Sequence, residues 1–377
     1  MSGPAAVGRG AATADVVCLG ESMVTFLPSQ PGRLADVPSF GRAIGGAESN
    51  VACALAAAGH RAKWVGRVGA DGFGDHLVDA IAAYGVDTSA VRRDPDRPTG
   101  IYFRTAADRA TGAHEVAYYR AGSAASAMSP ANVPYADLLD ARILHLTGIT
   151  AALSADCLSL LRSLTEPRPD RPLISFDVNY RPHLWRRGDE GPGVLLDLAR
   201  RADLVFVGED EAEEAWGLRG TDAIREALPE PAVLVVKRGA EGATVFSGRR
   251  PEHRSSIAGG ADSSVAGGAD SSVTTVPALH VDVVAAVGAG DAFAAGFLSA
   301  TLRELPVRDR VRHGHLMAAA VLTAPGDLTD PPARAHADEL VALDEAAWGR
   351  LRLGPGWTAA DRVDTDRSPA PQEVHPA

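Results

Sequence analysis

Val287-Gly288-Ala289-Gly290-Asp291-Ala292-Phe293-Ala294-Ala295-Gly296-Phe297-Leu298 opens on a glycine-rich turn and runs directly into an apolar helical pattern, and its reading decides the fold. The apolar residues 279–284 before it read as a strand, and 292–302 read as a helix. A glycine-rich strand-to-helix turn exposes backbone N–H groups at a helix N-terminus. Together with the helix dipole, those groups can hold an anion such as a phosphoryl group. The absent Cβ atoms let a ligand approach the backbone closely. Asp291 falls in the first turn of the helix. It can take a proton from a hydroxyl beside that phosphate, or it can simply cap the helix, and the segment by itself leaves both open.

Working outward, short β-branched or apolar runs alternate with Ala/Leu-rich helical patterns. Residues 16–19, 63–68, 142–146, 173–176, 204–207 and 233–236 read as strands. Residues 46–58 and 73–84 read as helices, the second with Asp71 as N-cap. This alternation predicts an α/β fold with a mainly parallel sheet covered by helices on both faces. Residues 99–105 and 114–120 break the rhythm as two strands around a polar turn at 107–112, a β-hairpin that is either a lid or a peripheral ornament. Residues 258–265 (AGGADSSV) recur identically as 266–273, a Gly/Ala/Ser-rich repeat that reads as a flexible surface loop.

Composition bounds the rest. The chain has 377 residues, 46% hydrophobic and 23% charged, with a formal charge of −11. That charge, with no Lys/Arg-rich stripe, argues against a nucleic-acid partner. No apolar run is long enough to span a membrane, and the N-terminus lacks a secretion signal, so a cytoplasmic location is expected. Cys18, Cys53 and Cys157 form no metal or redox spacing and read as buried thiols. Neither a P-loop, nor a dinucleotide fingerprint after the first strand, nor the HRD and DFG elements of protein kinases occurs.

A second glycine constellation, Gly45-Gly46-Ala47 with Asn50, Ala52, Gly59 and Gly69, resembles the N-terminal signature of the PfkB (ribokinase-like) carbohydrate kinases. Residues 287–298 resemble that family's C-terminal signature. The resemblance runs over about 16–343. It implies a ribokinase-like three-layer α/β/α sandwich with a small β-lid, the lid hairpin being about 98–120. On this reading 1–14 is a flexible N-terminus and 15–350 the kinase domain, with a low-complexity loop at 255–276 and a disordered tail at 351–377.

Within the family, GGAESN (45–50), YYRAGSAAS (118–126), DVNYRPHLW (177–185) and VVKRGAEGA (235–243) are similar to the branch that phosphorylates the sugar acid 2-keto-3-deoxygluconate at its 6-hydroxyl. The resemblance implies Asp291 as catalytic base with Gly288, Ala289 and Gly290 as the anion hole. It places Gly46, Asn50, Tyr102, Tyr118, Arg120, Ile149, Arg181 and Asp327 around the sugar. Lys237, Gly239 and Gly242 then lie along the nucleotide, and Glu211 orders water on Mg²⁺. ATP and Mg²⁺ are the implied cofactors, and a homo-oligomer through the lid is an expectation. Independently, a sugar carboxylate is well matched by guanidinium groups, which bind it bidentately. An ordinary Asp, with a pKa of about 3.9, makes a weak base, adequate where the hydroxyl proton is lost late.

Two departures stand on the phosphate side. Ala285-Ala286 replaces the usual Asp-Thr or Asp-Pro pair, leaving no side-chain oxygen for a monovalent cation. Gly208 replaces the Asn of the N-x-x-E element. Another sugar such as fructose or ribose, a nucleoside, or silent binding without turnover are the alternative readings.

Overall fold

The computed structural model describes residues 13–105, 115–185, 191–248 and 272–359. At its centre is an eight-stranded sheet in the order Ser272–Val276, Ala243–Ser247, Val233–Lys237, Leu204–Gly208, Leu173–Asp177, Ala141–Thr147, Ala14–Leu19, Ala62–Val65. The six strands from Val233–Lys237 to Ala62–Val65 are parallel, and the last two at the other edge are antiparallel. Side chains alternate across a strand, so Val16 and Cys18 enter one core while Val17 and Leu19 enter the other. Phe206 and its neighbours Val205 and Val207 divide in the same way. Both faces are dry and helix-covered, which is why these strands read as unbroken apolar runs. The result is a three-layer α/β/α sandwich.

The expected hairpin is part of something larger. Ile101–Arg104 and Val116–Tyr119 pair antiparallel, but Met23–Pro28 adds to the former in parallel and Phe40–Gly45 adds antiparallel to Met23–Pro28. One face of this four-stranded lid is tied by aromatics: Phe26 stacks on Phe103 at 4.7 Å, and Phe40 meets Phe103 edge-on at 5.2 Å.

Three expected boundaries move. Residues 272–276, the end of the expected 255–276 loop, form a sheet strand whose Val273 pairs with Phe246. Only His280–Val281 of 279–284 is a strand, and it pairs in parallel with Arg352–Leu353. The chain therefore continues in regular structure past 351, with a 3₁₀ turn at Trp357–Ala359. Trp348, 1% exposed under the guanidinium of Arg312 at 4.5 Å, anchors this segment. The expected N-terminal segment before 13, the turn at 107–112, most of the duplicated octapeptide and the tail beyond 359 lie outside the described residues. Among the described residues no helix is long and apolar enough to cross a membrane. All three cysteines are buried and unpaired.

Candidate active site

The parallel strands deliver their carboxyl ends to one edge, where a cleft of about 370 Å³ lies between the sheet, the lid and the start of the helix Ala289–Leu302. Gly288 forms the corner. Its φ of +84° is the left-handed conformation, and a Cβ there would lie 2.5 Å from the carbonyl oxygen of Asp327. The first bond of the helix runs from Ala292 N–H to Gly288 O at 2.9 Å. The N–H groups of Ala289, Gly290 and Asp291 precede it and face the first-turn side. Gly288 is the N-cap residue, so Asp291 is not capping this helix.

Asp291 instead accepts a hydrogen bond from Asn50 Nδ2 (2.9 Å), in the helix Ala47–Ala57. That contact joins the two glycine motifs across 241 residues of chain. Burial pushes the Asp291 carboxyl up to about 7, and Asp177 adds to the rise, against the Asn50 bond and the charges of Arg181 and Lys237. The direction differs from the ordinary carboxylate expected: Asp291 is half-buried at the cleft wall, and its partial desolvation disfavours the charged form.

Lys237 ends its strand in the midst of three carboxylates. Nζ lies 3.1 Å from both oxygens of Asp177, which is 2% exposed. Burial works against the ammonium, but Asp177, Glu211 and Asp291 outweigh it and push it up to about 12. A Cβ at Gly290 would stand 3.7 Å from Nζ, so the ammonium lies directly beside the anion hole. Glu211 accepts from Gly208 N–H at 2.8 Å, closing the first turn of its helix, and its other oxygen lies 3.6 Å from Arg181 Nη1. Burial raises its pKa. Gly239 and Gly242 do not line the cleft; they form the turn after Lys237. Gly242 (φ +114°) is required by packing, because a Cβ would meet Val276 O at 2.1 Å.

The sugar-side residues converge on the lid. Tyr102, 7% exposed, donates to Asp327 Oδ2 at 3.2 Å, and Arg104 pairs with the same carboxylate. Gly45 and Gly46 make room: a Cβ at Gly45 would strike Tyr102 Oη at 2.3 Å, and one at Gly46 would meet Glu21 O at 2.4 Å. Tyr118 stacks on His183 at 5.2 Å, bridging lid and body. Ile149 lines the floor. Arg120 faces the cleft but is engaged by Glu21, a carboxylate that also accepts from Ser123 Oγ at 2.6 Å. Arg181 is the more open of the two expected guanidinium groups, its side chain 44% exposed. Below them Glu48, fully buried, accepts from Thr147 and Thr150 hydroxyls at 2.7 and 2.6 Å.

Sequence reasoning missed Glu21, Arg104, Asp177, Asn179 and His183 as cleft residues. Asp177, Asn179 and His183 stand in the DVNYRPHLW segment, where an apolar strand run closing on Asp-Val-Asn was the available signal; in the structure Asn179 is buried at φ +41°. Glu21 and Arg104 carried no local signal. Ala285 and Ala286 lead into the hole, with Ala285 N–H bonded to Leu322 O at 3.3 Å.

Residues 13–334 match the model described as "pfkB family carbohydrate kinase". The 2-dehydro-3-deoxygluconokinase of Bacillus subtilis is 35% identical over 325 residues, covering 85% of this chain and 93% of that one. The 2-dehydro-3-deoxygluconokinase of Thermoproteus tenax is 32% identical over 329 residues, covering 86% and 94%. Among solved structures, a PfkB protein from Polaromonas sp. JS666 superposes with a TM-score of 0.71 at 34% identity, covering 86% of this chain and 99% of that one.

Proposed function

The chain belongs to the pfkB family of carbohydrate kinases, and from that premise we propose that it transfers the γ-phosphoryl group of ATP to the 6-hydroxyl of 2-keto-3-deoxygluconate, yielding the 6-phosphate and ADP. The observation that carries the chemistry is Asp291, a carboxyl raised to about 7 and held by Asn50 at the mouth of a glycine anion hole. A base with that pKa matches a neutral working pH, where about half of it is ionised and able to take the proton. As the sugar O6 bonds to the γ-phosphorus and the bridge to the β-phosphate breaks, the hydroxyl proton passes to Asp291. The N–H groups at Ala289, Gly290 and Asp291 take up charge on the equatorial phosphoryl oxygens.

Lys237, beside Gly290, acts on the transferring phosphoryl group rather than on the nucleoside. Asp177 holds its ammonium in place. Asp177 and Glu211 are the oxygens that would face Mg²⁺ through water, as suits an ion that keeps most of its hydration. Mg²⁺, when bound, neutralises the nucleotide phosphates. Lid closure by Tyr102 and Tyr118 shields the reaction from water. A reaction consuming ATP in this way fits a cytoplasmic setting.

For the sugar carboxylate, Arg181 is the principal partner, because it is exposed and only loosely met by Glu211 at 3.6 Å, whereas the Arg120 side chain is mostly buried against Glu21. That pairing is also what favours the second reading, a kinase for a neutral ketose such as fructose. A purified-enzyme panel of 2-keto-3-deoxygluconate, fructose and ribose, each with and without K⁺, tests both. We expect the sugar acid to give the highest kcat/KM and K⁺ to leave it unchanged, since Ala285 offers no ligand oxygen. Preference for a neutral sugar would overturn the substrate assignment while leaving the kinase chemistry standing.

A further inference from the structure

A second cavity, of about 610 Å³, opens at the far ends of the two helices that build the cleft. Ala47–Ala57 begins beside Gly46 and ends at the cavity with Ala57, Ala58 and Gly59. Ala289–Leu302 begins at the anion hole and brings Gly296, Ser299 and the following Arg303 to the same cavity. The two helices pack on each other along the way. At 1.5 Å of rise per residue, Ser299 is roughly 12 Å along the axis from Asp291.

The walls combine guanidinium groups with an apolar floor. Arg334 donates to the carbonyl of Ala58 at 2.8 Å, an uncharged partner that leaves its positive charge uncompensated by that bond. Arg303 is oriented by Asp338 at 2.7 and 2.8 Å, with Nη1 3.5 Å from His313 Nε2. Asp330 is the one carboxylate among the lining residues. His60, whose Nε2 lies 2.7 Å from Ser299 Oγ, is held below its usual pKa by burial and then by Arg334, with Arg303 and Arg142 adding to the effect and Asp15 opposing it. Asp338 already offsets Arg303, so the positive charge open to an anion here rests on Arg334, with Asp330 opposing it. Tyr84, Met317, Pro331 and Pro332 supply the apolar surface. The volume falls within the range of small-molecule sites.

We propose that this cavity binds a small organic anion, a phosphate ester or carboxylate with an apolar body, and that its occupancy is felt at Asp291. The anion would bridge Arg334, which holds the end of the first helix, and Arg303 at the end of the second. It would thus tie together the far ends of two helices whose near ends are already tied by the Asn50–Asp291 bond. An anion that binds one relative setting of the helices better than another shifts the population toward it.

The test uses 1-naphthyl phosphate, followed by its fluorescence, on the full chain. Wild type and Asp291→Asn bind it saturably, whereas Arg334→Ala binds at least tenfold more weakly. Tyr84→Ala weakens naphthyl phosphate but not inorganic phosphate. Circular dichroism melts verify folding, and Arg303→Lys serves if Arg334→Ala does not fold. At saturating probe, kcat/KM changes at least fivefold, the lower end of ordinary coupling. Equal binding by wild type and Arg334→Ala, loss of binding in Asp291→Asn, or no saturation at millimolar probe overturns the site. An unmoved kcat/KM overturns the coupling. Binding is read directly, so these failures leave the kinase reading untouched.

Discussion

Replacing Asp291 by Asn should make the protein less active and more stable, and the second effect should depend on pH. Asn keeps the shape and can still accept from Asn50 Nδ2, now 2.9 Å away. It removes a charge that the folded state tolerates poorly. Moving the carboxyl from its ordinary 3.8 to about 7 costs the ionised folded state about 4 kcal/mol. The folded protein binds this proton more tightly than the unfolded chain does. Stability of the wild type therefore falls as pH rises from about 4 to about 7, and this contribution is flat on either side of that window. Urea denaturation of both proteins between pH 4 and 8 should show Asp291→Asn gaining steadily across that window, by as much as about 4 kcal/mol at the top. In parallel, wild-type kcat/KM should climb about tenfold per pH unit below a midpoint near 7, and the variant should lose about 10² to 10⁴ in rate. A stability gain independent of pH, or a wild-type rate already flat above pH 5, would refute the account of a half-buried, neutral-range base.

Asn50→Leu should move the rate midpoint to higher pH, because the Asn50 bond favours the charged form of Asp291; a move to lower pH contradicts that. Gly288→Ala should weaken ATP binding and lower the melting temperature, with strain on the order of 1–3 kcal/mol from a non-glycine residue at φ +84°. Unchanged melting and affinity would remove the argument for the corner. Lys237→Met should destabilise by about 3–5 kcal/mol by leaving Asp177 buried without its cation. Adding Asp177→Asn should restore most of that in denaturant melts, and additive losses would show the pair is not coupled.

The anion hole was legible because everything that makes it is local. Gly288 needs its conformation, and Ala289 and Gly290 follow in sequence, so the composition of one turn carries the information. Asn50 was legible only by resemblance, since its partner is 241 residues away. The pairing of Arg120 with Glu21 shows the limit. A guanidinium at a lid-strand end looks open in sequence, and nothing nearby in the chain reveals the buried carboxylate that meets it. Asp177 was passed over for a related reason: its role is set by Lys237, two strands away in the sheet. Two lid strands escaped notice because the segment between them, 29–39, is rich in Ser, Gly and Pro, and Phe40–Gly45 itself holds two glycines. The C-terminal boundary is hard to read because charged and glycine residues there surround just two buried anchors, Trp348 and Leu353, whose burial outweighs their polarity.

The antiparallel edge of the main sheet has a consequence for how this chain can vary in length. Ser272–Val276 is zipped to Ala243–Ser247 from Ser247↔Ser272 through Ala243↔Val276. The strand's first two residues, Ser272 and Val273, are the last two of the second octapeptide copy. Deleting either copy leaves the same Ser-Ser-Val leading into Thr274, so the register is unchanged. Replication slippage by one whole copy would therefore present the same residues to Ala243–Ser247, so the sheet edge is spelled identically at either repeat number.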